Sequence, residues 1–447
     1  MKVIIVSPYF YPRVGGAEVY TINIARQLKA MGWEVVIVTT GKSHPKEAEG
    51  FEGMALYRLK TALTLSNTPV GIGWRRELKR IFRIEQPDII NAHTPVPYLA
   101  DMAQRSSGLI PFVLTYHNDL AKDFILSKII VRLAHFALIG PTLRKSTLII
   151  ATSEFYVRES HYLKRYVSKV RIVSPGVDVS RFSPSVTVEP GLANHFRGKR
   201  VILFVGSINK SHKHKGLSVL INAFKLINHD SPDTRLVIVG KGDGMDMYMS
   251  MAASAGVADS TEFTGYVDDN ILAQYYRLAT VFAMPSTNRS EGFGMAYIEA
   301  NAVGTPVVGS RVGGVPYAVK ENETGLLVDP HSVGSLYEAL QRILDDSDLA
   351  KRLGETGSKR ALREFDWRLL AERTSRIFSE EFELYAQNVR GLPSYRLREH
   401  IVHVFGRADD GPHLAEHRLE QNVPIDPNDG IQPGVLFLHG PHVLVEQ

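Results

Sequence analysis

Glu291 and Glu299 stand eight residues apart in Glu291-Gly292-Phe293-Gly294-Met295-Ala296-Tyr297-Ile298-Glu299, after a strand-like run that ends at Pro285-Ser286. The first carboxylate falls in a loop and the second one turn into a helix, so both can face one ligand. Carboxylates accept hydrogen bonds from sugar hydroxyls. Gly292 and Gly294 let backbone amides come close, and the helix start offers N–H donors and a positive dipole end to a phosphate. The same stretch also reads as a helix whose acidic flank is stabilised by its dipole. A basic run, Lys210-Ser211-His212-Lys213-His214-Lys215, lies between a strand pattern and a helix starting near Leu217, where α/β folds bind phosphate. Alone, such a run is a solvated loop. His117, in Thr115-Tyr116-His117, follows another strand pattern, and a lone histidine there is more often structural than catalytic.

These residues need elements to position them, and the pattern supplies two sets. Val3-Ile4-Ile5-Val6, Val35-Val36-Ile37-Val38, Asp88-Ile89-Ile90, Phe112-Val113-Leu114 and Thr147-Leu148-Ile149-Ile150 alternate with amphipathic stretches such as residues 17–31. Continuous apolar strands joined by helices predict parallel sheet buried on both faces. After a linker-like stretch at 183–191 the pattern restarts with Val201-Ile202-Leu203-Phe204-Val205-Gly206, Leu236-Val237-Ile238-Val239-Gly240, Val281-Phe282-Ala283-Met284 and Pro306-Val307-Val308-Gly309. The expectation is an α/β chain of two doubly wound domains, at 1–185 and 186–365. Their shared ligand would lie in the cleft outside the carboxyl ends of the strands. A long helix at 366–387 follows and could cross back to the first domain. Residues 388–447 contain no lysine, six prolines and six of the 16 histidines, and yield no confident element.

The 447 residues hold 52 Lys and Arg against 47 Asp and Glu, a net of +5 too small to argue for nucleic acid. Its distribution is more telling. Residues 1–185 carry 25 basic and 14 acidic side chains, a net of +11, so this half holds all the excess positive charge and would attract an anionic partner. With no cysteine, disulfides, thiolate metal sites and a cysteine nucleophile are excluded. No apolar run reaches the ~18 residues of a membrane span, and the short N-terminal run reads as a strand instead of a signal peptide. A cytoplasmic protein is expected, placed at the inner face of the membrane if the basic half meets one.

Further motifs narrow the function. Gly304-Thr305-Pro306, Gly313-Gly314-Val315-Pro316 and Gly325-Leu326-Leu327-Val328 follow the two carboxylates; Val205-Gly206, Lys215-Gly216, Val239-Gly240-Lys241-Gly242-Asp243-Gly244 and Phe263-Thr264-Gly265-Tyr266-Val267 precede them, and Gly15-Gly16-Ala17-Glu18 opens the chain. In this order and spacing, over residues 1–387, the chain resembles the retaining glycosyltransferases of family four. The resemblance implies the GT-B fold of two facing Rossmann-like domains, a nucleotide diphosphate sugar as donor, and a sugar or lipid-linked acceptor. It implies that Glu299 holds the ribose, Glu291 the donor-sugar hydroxyls and Lys215 the diphosphate. Amides of Phe293, Gly294 and Met295 would lie near the sugar and diphosphate, and Tyr266 and Val267 beside the base. Gly16 and Tyr9 would close the site, and His117 would flank the reacting sugar. No metal or other cofactor is implied. One position departs from the pattern: Ser207 stands where the family commonly has arginine, which removes a fork of donors from the diphosphate site.

Other features carry less. Gly240–Gly244 lacks the spacing of a dinucleotide fingerprint, and Asp346-Ser347-Asp348 is a poor metal site, read as a helix start. His400 with His403, and His413 with His417, have spacings compatible with zinc. Arg76, Lys79, Arg80 and Arg83 share a helical face opposite Leu78, Ile81 and Phe82; in residues 122–139, Lys128, Arg132 and His135 oppose Ile125, Ile129, Ile130, Leu133 and Phe136. Basic amphipathic helices of this kind can lie on an anionic membrane. The rival readings are a non-catalytic nucleotide-sugar-binding protein on the same fold and a dehydrogenase.

Overall fold

Val3 and Ile5 pack into one buried cluster with Val35, Ile37, Ile89 and Val113, whereas Ile4 and Val6 pack into another with Val36, Val38, Ile90 and Leu114. Successive side chains of a strand point to opposite faces, so two cores from alternate residues mean a sheet covered on both sides. The computed structural model describes residues 1–13, 15–42, 49–65, 67–119, 132–133 and 135–390. Residues 1–385 form one unit, which carries both large sheets; of the second unit, 386–447, only the end of the last helix is described.

The first sheet is built from β1 (Lys2–Val6), β2 (Glu34–Gly41), β3 (Glu49–Phe51), β4 (Met54–Lys60), β7 (Ile89–Thr94), β8 (Phe112–Tyr116), β9 (Leu148–Ala151) and β10 (Val170–Ile172), with β5 (Leu63–Leu65) and β6 (Thr68–Val70) forming a separate hairpin. Its order is β10-β9-β8-β7-β1-β2-β4-β3, parallel except for β3 against β4. The second sheet comprises β11 (Arg200–Val205), β12 (Thr234–Val239), β13 (Thr261–Gly265), β14 (Val281–Met284), β15 (Val307–Ser310) and β16 (Gly325–Val328). Its order β13-β12-β11-β14-β15-β16 is the 3-2-1-4-5-6 of a doubly wound sheet, and all its neighbours are parallel. The order reverses beside β1 in the first sheet and beside β11 in the second. Ligand crevices are therefore expected at the carboxyl ends of β1, β7, β11 and β14.

Five helices matter for the site: α1 (Gly16–Ala30), α2 (Trp74–Glu85), α3 (Leu217–Asp230), α4 (Met295–Ala302) and α5 (Trp367–Arg390). Helix α5 follows the second sheet in the chain but covers a face of the first. Trp367, Leu370, Ala371, Ile377 and Phe378 are buried in the cluster of Val3 and Ile5. Trp33 Nε1 donates to Ser375 Oγ at 3.0 Å, and the Trp367 ring meets Tyr20 edge-on at 5.7 Å. No described helix is long and apolar enough to cross a membrane.

Candidate active site

In the second half, three loops at strand carboxyl ends converge. The Lys210–Lys215 turns after β11 end at Gly216 and lead into α3. Lys215 lies across the end of β11, where a methyl on Gly206 would stand 3.1 Å from its Cδ. Lys215 Nζ donates to Glu291 Oε2 at 3.0 Å. Burial pushes the Glu291 carboxyl up, but the Lys215 charge, then those of His214 and His212, outweigh it and hold Glu291 below its usual range. An ionised carboxylate therefore stands beside a cation at the start of α4. Gly294 precedes that helix at φ +85, a conformation suited to glycine, and a Cβ there would lie 2.5 Å from the Tyr297 ring. Phe293 is buried against Tyr317 and Phe365, so only its backbone can serve a ligand. Met295 packs against the cores of both halves.

One turn into α4, Glu299 accepts a hydrogen bond from Tyr276 Oη at 2.9 Å. Burial nevertheless pushes its carboxyl up to about 7. Tyr266, at the end of β13, is exposed and has Lys241 Nζ 5.0 Å from its ring centroid; Val267 beside it is half-buried. Ser207 is engaged within its own loop. Its Oγ accepts from Asn209 Nδ2 at 2.7 Å, and Lys210 N donates to Asp243 Oδ1 at 2.7 Å, tying the loop to itself. The Gly240–Gly244 run buttresses that loop: a Cβ on Gly242 would lie 2.3 Å from the Ile208 carbonyl carbon. Asp346 caps the helix Ser347–Glu364 by accepting from Leu349 N at 2.8 Å. Among the described residues no cluster of three or more acidic or histidine side chains could hold a metal; His400, His403, His413 and His417 lie outside those residues.

In the first half, His117 follows β8 and is buried. Asn91 Nδ2 donates to Val113 O and Thr115 Oγ1, so its Oδ1 accepts from His93 Nε2 at 3.0 Å. His93 Nδ1 is then the acceptor for His117 Nε2, also at 3.0 Å. Burial holds His117 down at about 4, and His93 well below its ordinary value. Both rings are neutral near pH 7, and the chain of bonds sets the His117 tautomer. Tyr9 donates to Asn67 O at 2.7 Å, with the Arg13 guanidinium 3.7 Å from its ring centroid. Gly16 opens α1, and a Cβ built on it meets nothing within 4 Å.

The halves touch where these sets meet. A Cβ on Gly292 would stand 2.6 Å from His117 O, so the loop that carries Glu291 reaches the histidine only because residue 292 has no side chain. Asn118 Nδ2 donates to Ser290 O at 3.0 Å and Thr152 Oγ1 to Gly292 O at 3.2 Å. The structure thus brings Glu291 and Lys215 into contact, places His117 against the adjoining Gly292, and puts Glu299 on the same helix start. Tyr9 lies on the loop that follows β1, and Gly16 opens the helix to which that loop leads. Their neighbour Arg13 carries a charge that acts on His212 in the Lys210–Lys215 turns. Sequence reading missed Arg13, which no motif marks. It also missed the Asn91–His93 relay, which the i, i+2 spacing on one strand face could have revealed. Of the basic stretch 122–139, residues 120–131 and 134 lie outside the described residues. Leu133 and Phe136 within it are exposed.

Comparison with known proteins matches both halves. The family described as Glycosyltransferase Family 4 matches residues 14–181, and Glycosyl transferases group 1 matches residues 192–360. The chain is 30% identical to the D-inositol 3-phosphate glycosyltransferase of Corynebacterium glutamicum (strain R), over 82% of this chain and 92% of that protein. It is 27% identical to the GDP-mannose-dependent alpha-(1-6)-phosphatidylinositol monomannoside mannosyltransferase of Mycobacterium tuberculosis (strain ATCC 25618 / H37Rv), over 83% and 96%. Among solved structures, Anabaena HepE in complex with UDP superposes with a TM-score of 0.68 at 18% identity, covering 85% of this chain and 100% of that one. Sucrose-phosphate synthase from Thermosynechococcus elongatus gives 0.66 at 23%, over 86% and 99%. Both likenesses are of fold: two Rossmann-like domains in the GT-B arrangement.

Proposed function

The chain belongs to the group 1 glycosyltransferases of family 4, which use nucleotide-sugar donors, and from that premise we propose that it transfers a hexose with retention to an acceptor hydroxyl on a lipid or glycan. The observation that carries this reading is the Lys215–Glu291 ion pair at the start of α4, one turn before Glu299. In this reading Lys215 is the cation for the leaving diphosphate, and Glu291 and Glu299 are the carboxylates suited to hydroxyls of the sugar and of the ribose. Tyr266 and Val267 flank the base, and Tyr9 and Gly16 close the site from the other half. In the proposed reaction the bond from the anomeric carbon to the β-phosphate oxygen breaks. The acceptor oxygen bonds to the same face of that carbon, and its proton passes to the departing phosphate. Lys215 and the amides of Phe293, Gly294 and Met295 take up the charge that develops on the diphosphate, so the proposal requires no metal or cofactor. His117, neutral and fixed in tautomer, acts as a hydrogen-bond partner of the sugar and not as an acid.

Turnover against uridine, guanosine and adenosine diphosphate sugars, with lipid phosphate and simple sugar acceptors, tests this. The expected result is release of one nucleoside diphosphate, an unchanged anomeric configuration, and loss of activity in Glu299→Ala and Lys215→Ala. A glycosyl adduct trapped on Glu291 would overturn the same-face mechanism. Ser207 in place of the common arginine favours one rival, a binding protein, which requires donor binding without turnover on any acceptor.

A further inference from the structure

Asn91 and His93 are buried on one face of β7, two residues apart. Polar side chains at that depth are costly unless each atom is paired, and here every polar atom of the two is. The pairing also has a direction. The Val113 carbonyl can only accept, so the Asn91 amide must turn Nδ2 toward it, at 3.2 Å, with Thr115 Oγ1 2.8 Å away. That leaves Asn91 Oδ1, an acceptor, 3.0 Å from His93 Nε2 and puts the proton on that nitrogen. His93 is neutral, so its Nδ1 carries a lone pair. His117 Nε2, 3.0 Å away, must then be an N–H. Thr21 Oγ1 also lies 3.1 Å from His93 Nδ1, but it donates to Ala17 O at 2.8 Å and does not compete. The Tyr20 ring walls the relay, edge-on to His117 at 5.0 Å and to His93 at 5.9 Å. A neutral His117 protonated at Nε2 keeps a lone pair on Nδ1. That atom bonds to no described residue, and it is not sealed in the protein as His135 Nδ1 and His212 Nδ1 are.

We propose that Asn91 and His93 are positioning residues that fix His117 as a hydrogen-bond acceptor at Nδ1, so that the site takes a donor sugar offering a hydroxyl to that atom. This deepens the reading above and rests on it. A sugar with hydrogen or fluorine at that position leaves the lone pair unmet, because neither can donate. The opposite tautomer would present an N–H instead, which fluorine can accept.

The test reads the tautomer and the turnover separately. In protein carrying nitrogen-15 histidine, long-range proton–nitrogen correlations show which ring nitrogen of His117 is protonated, its signals being identified by their loss in His117→Gln. The expected result is Nε2–H in the wild type and in His93→Gln, whose amide can repeat the donor toward Asn91 and the acceptor toward His117. His93→Leu should show both tautomers. Turnover is then measured with donors carrying hydrogen or fluorine in place of each sugar hydroxyl in turn. One position should lose roughly tenfold in kcat with either replacement. His93→Leu should lower kcat on the natural donor by a similar factor, leave nucleoside diphosphate affinity nearly unchanged and relieve the penalty for fluorine. His93→Gln should recover most of that loss. A wild-type His117 protonated at Nδ1, a tautomer that His93→Leu leaves unaltered, or full turnover of every fluorinated donor overturns the proposal. So does an equal loss of kcat and nucleotide affinity in both variants, which would make His93 a piece of the core. If His93→Leu fails to fold, the spectra of the wild type and His93→Gln and the fluorinated donors still decide. The tautomer is read without turnover, so failure of the glycosyltransferase reading, a wild type that neither binds nucleoside diphosphate nor turns over a donor, is distinguished from failure of this one.

Discussion

Glu299 is the residue whose chemistry is most exposed to pH. Its folded pKa, about 7, lies above the ~4.3 of an unperturbed glutamate. A raised value means the folded chain favours the neutral acid, so this contribution to stability is complete below about pH 4.3 and is lost as pH rises through 7. Replacing Glu299 by Gln removes that dependence. The melting temperature of Glu299→Gln should gain on the wild type between pH 5.5 and pH 8, and an unchanged gap in thermal unfolding would count against the assignment. In the role proposed for Glu299 the ionised carboxylate is the better acceptor for ribose hydroxyls, so donor affinity should move the opposite way. It should improve as pH rises through 7 in the wild type, with up to about a tenfold loss for each unit below, and stay flat in Glu299→Gln. Burial, then the Lys215 charge, holds His212 below its ordinary value. Gly16 offers a cleaner separation of fold from function. A methyl there meets no protein atom within 4 Å, so Gly16→Ala should keep the wild-type melting temperature. If the residue closes on the donor, turnover should fall roughly tenfold or more, ~1.4 kcal/mol of transition-state stabilisation. Unaltered turnover would remove Gly16 from the site.

Among the elements, α2 departs furthest from what packing requires. Trp74, Leu78, Ile81 and Phe82 bury its inner face, while Arg75, Arg76, Lys79 and Arg83 stay exposed and only Arg80 is tied to Glu77, at 2.9 Å. Ile72, just before the helix, is 89% exposed. Each Lys or Arg close to an anionic bilayer contributes about 1 kcal/mol of attraction. Reversing Arg76, Lys79 and Arg83 together to Glu should therefore abolish flotation with anionic vesicles at low salt, without lowering turnover on a water-soluble acceptor. Vesicle binding equal to the wild type would show that the face is merely solvated. This helix, like the strands, was legible in the sequence because one short-range period states which side is buried. The carboxylate pair was legible for a related reason: Glu291 and Glu299 lie on one loop and the helix it opens. Arg289 with His161, and Arg13 with Tyr9 and Asn67, were not. The contacts of Arg289 with His161 and of Arg13 with Asn67 span 128 and 54 residues and depend on how two loops face each other, and Arg13 meets Tyr9 within an irregular loop, which no local period encodes.

At the scale of the whole molecule, the site depends on two sheets held in register by contacts outside either of them. Met295 packs against both cores, Gly292 lies on the His117 carbonyl, and α5 leaves the second half to cover the first. The sequence marked the long helical pattern at 366–387 and its possible return to the first domain, but not which face of that sheet it covers, because an apolar stripe fits either face. The close approach is visible only in three dimensions: a Cβ on Gly176 would stand 2.7 Å from the Trp367 ring and 2.8 Å from Leu370. Removing α5 would uncover the part of this face that α1 does not cover, beside Trp33, Val3, Ile5 and Ile37, and leave the indole of Trp33 without Ser375. Losing even one buried aromatic of this size costs about 3–5 kcal/mol, a large share of the ~5–15 kcal/mol by which domains are stable. Two truncations separate this role from that of the tail. A chain ending at Gln387 keeps the buried residues of α5 and every residue assigned to the donor, so it should bind nucleoside diphosphate sugar with wild-type affinity. A chain ending at Phe365 should aggregate or lose its cooperative unfolding transition. If the longer truncation loses donor binding while still melting cooperatively, the tail contributes to the site; if the shorter one stays folded and active, α5 does not hold the halves together.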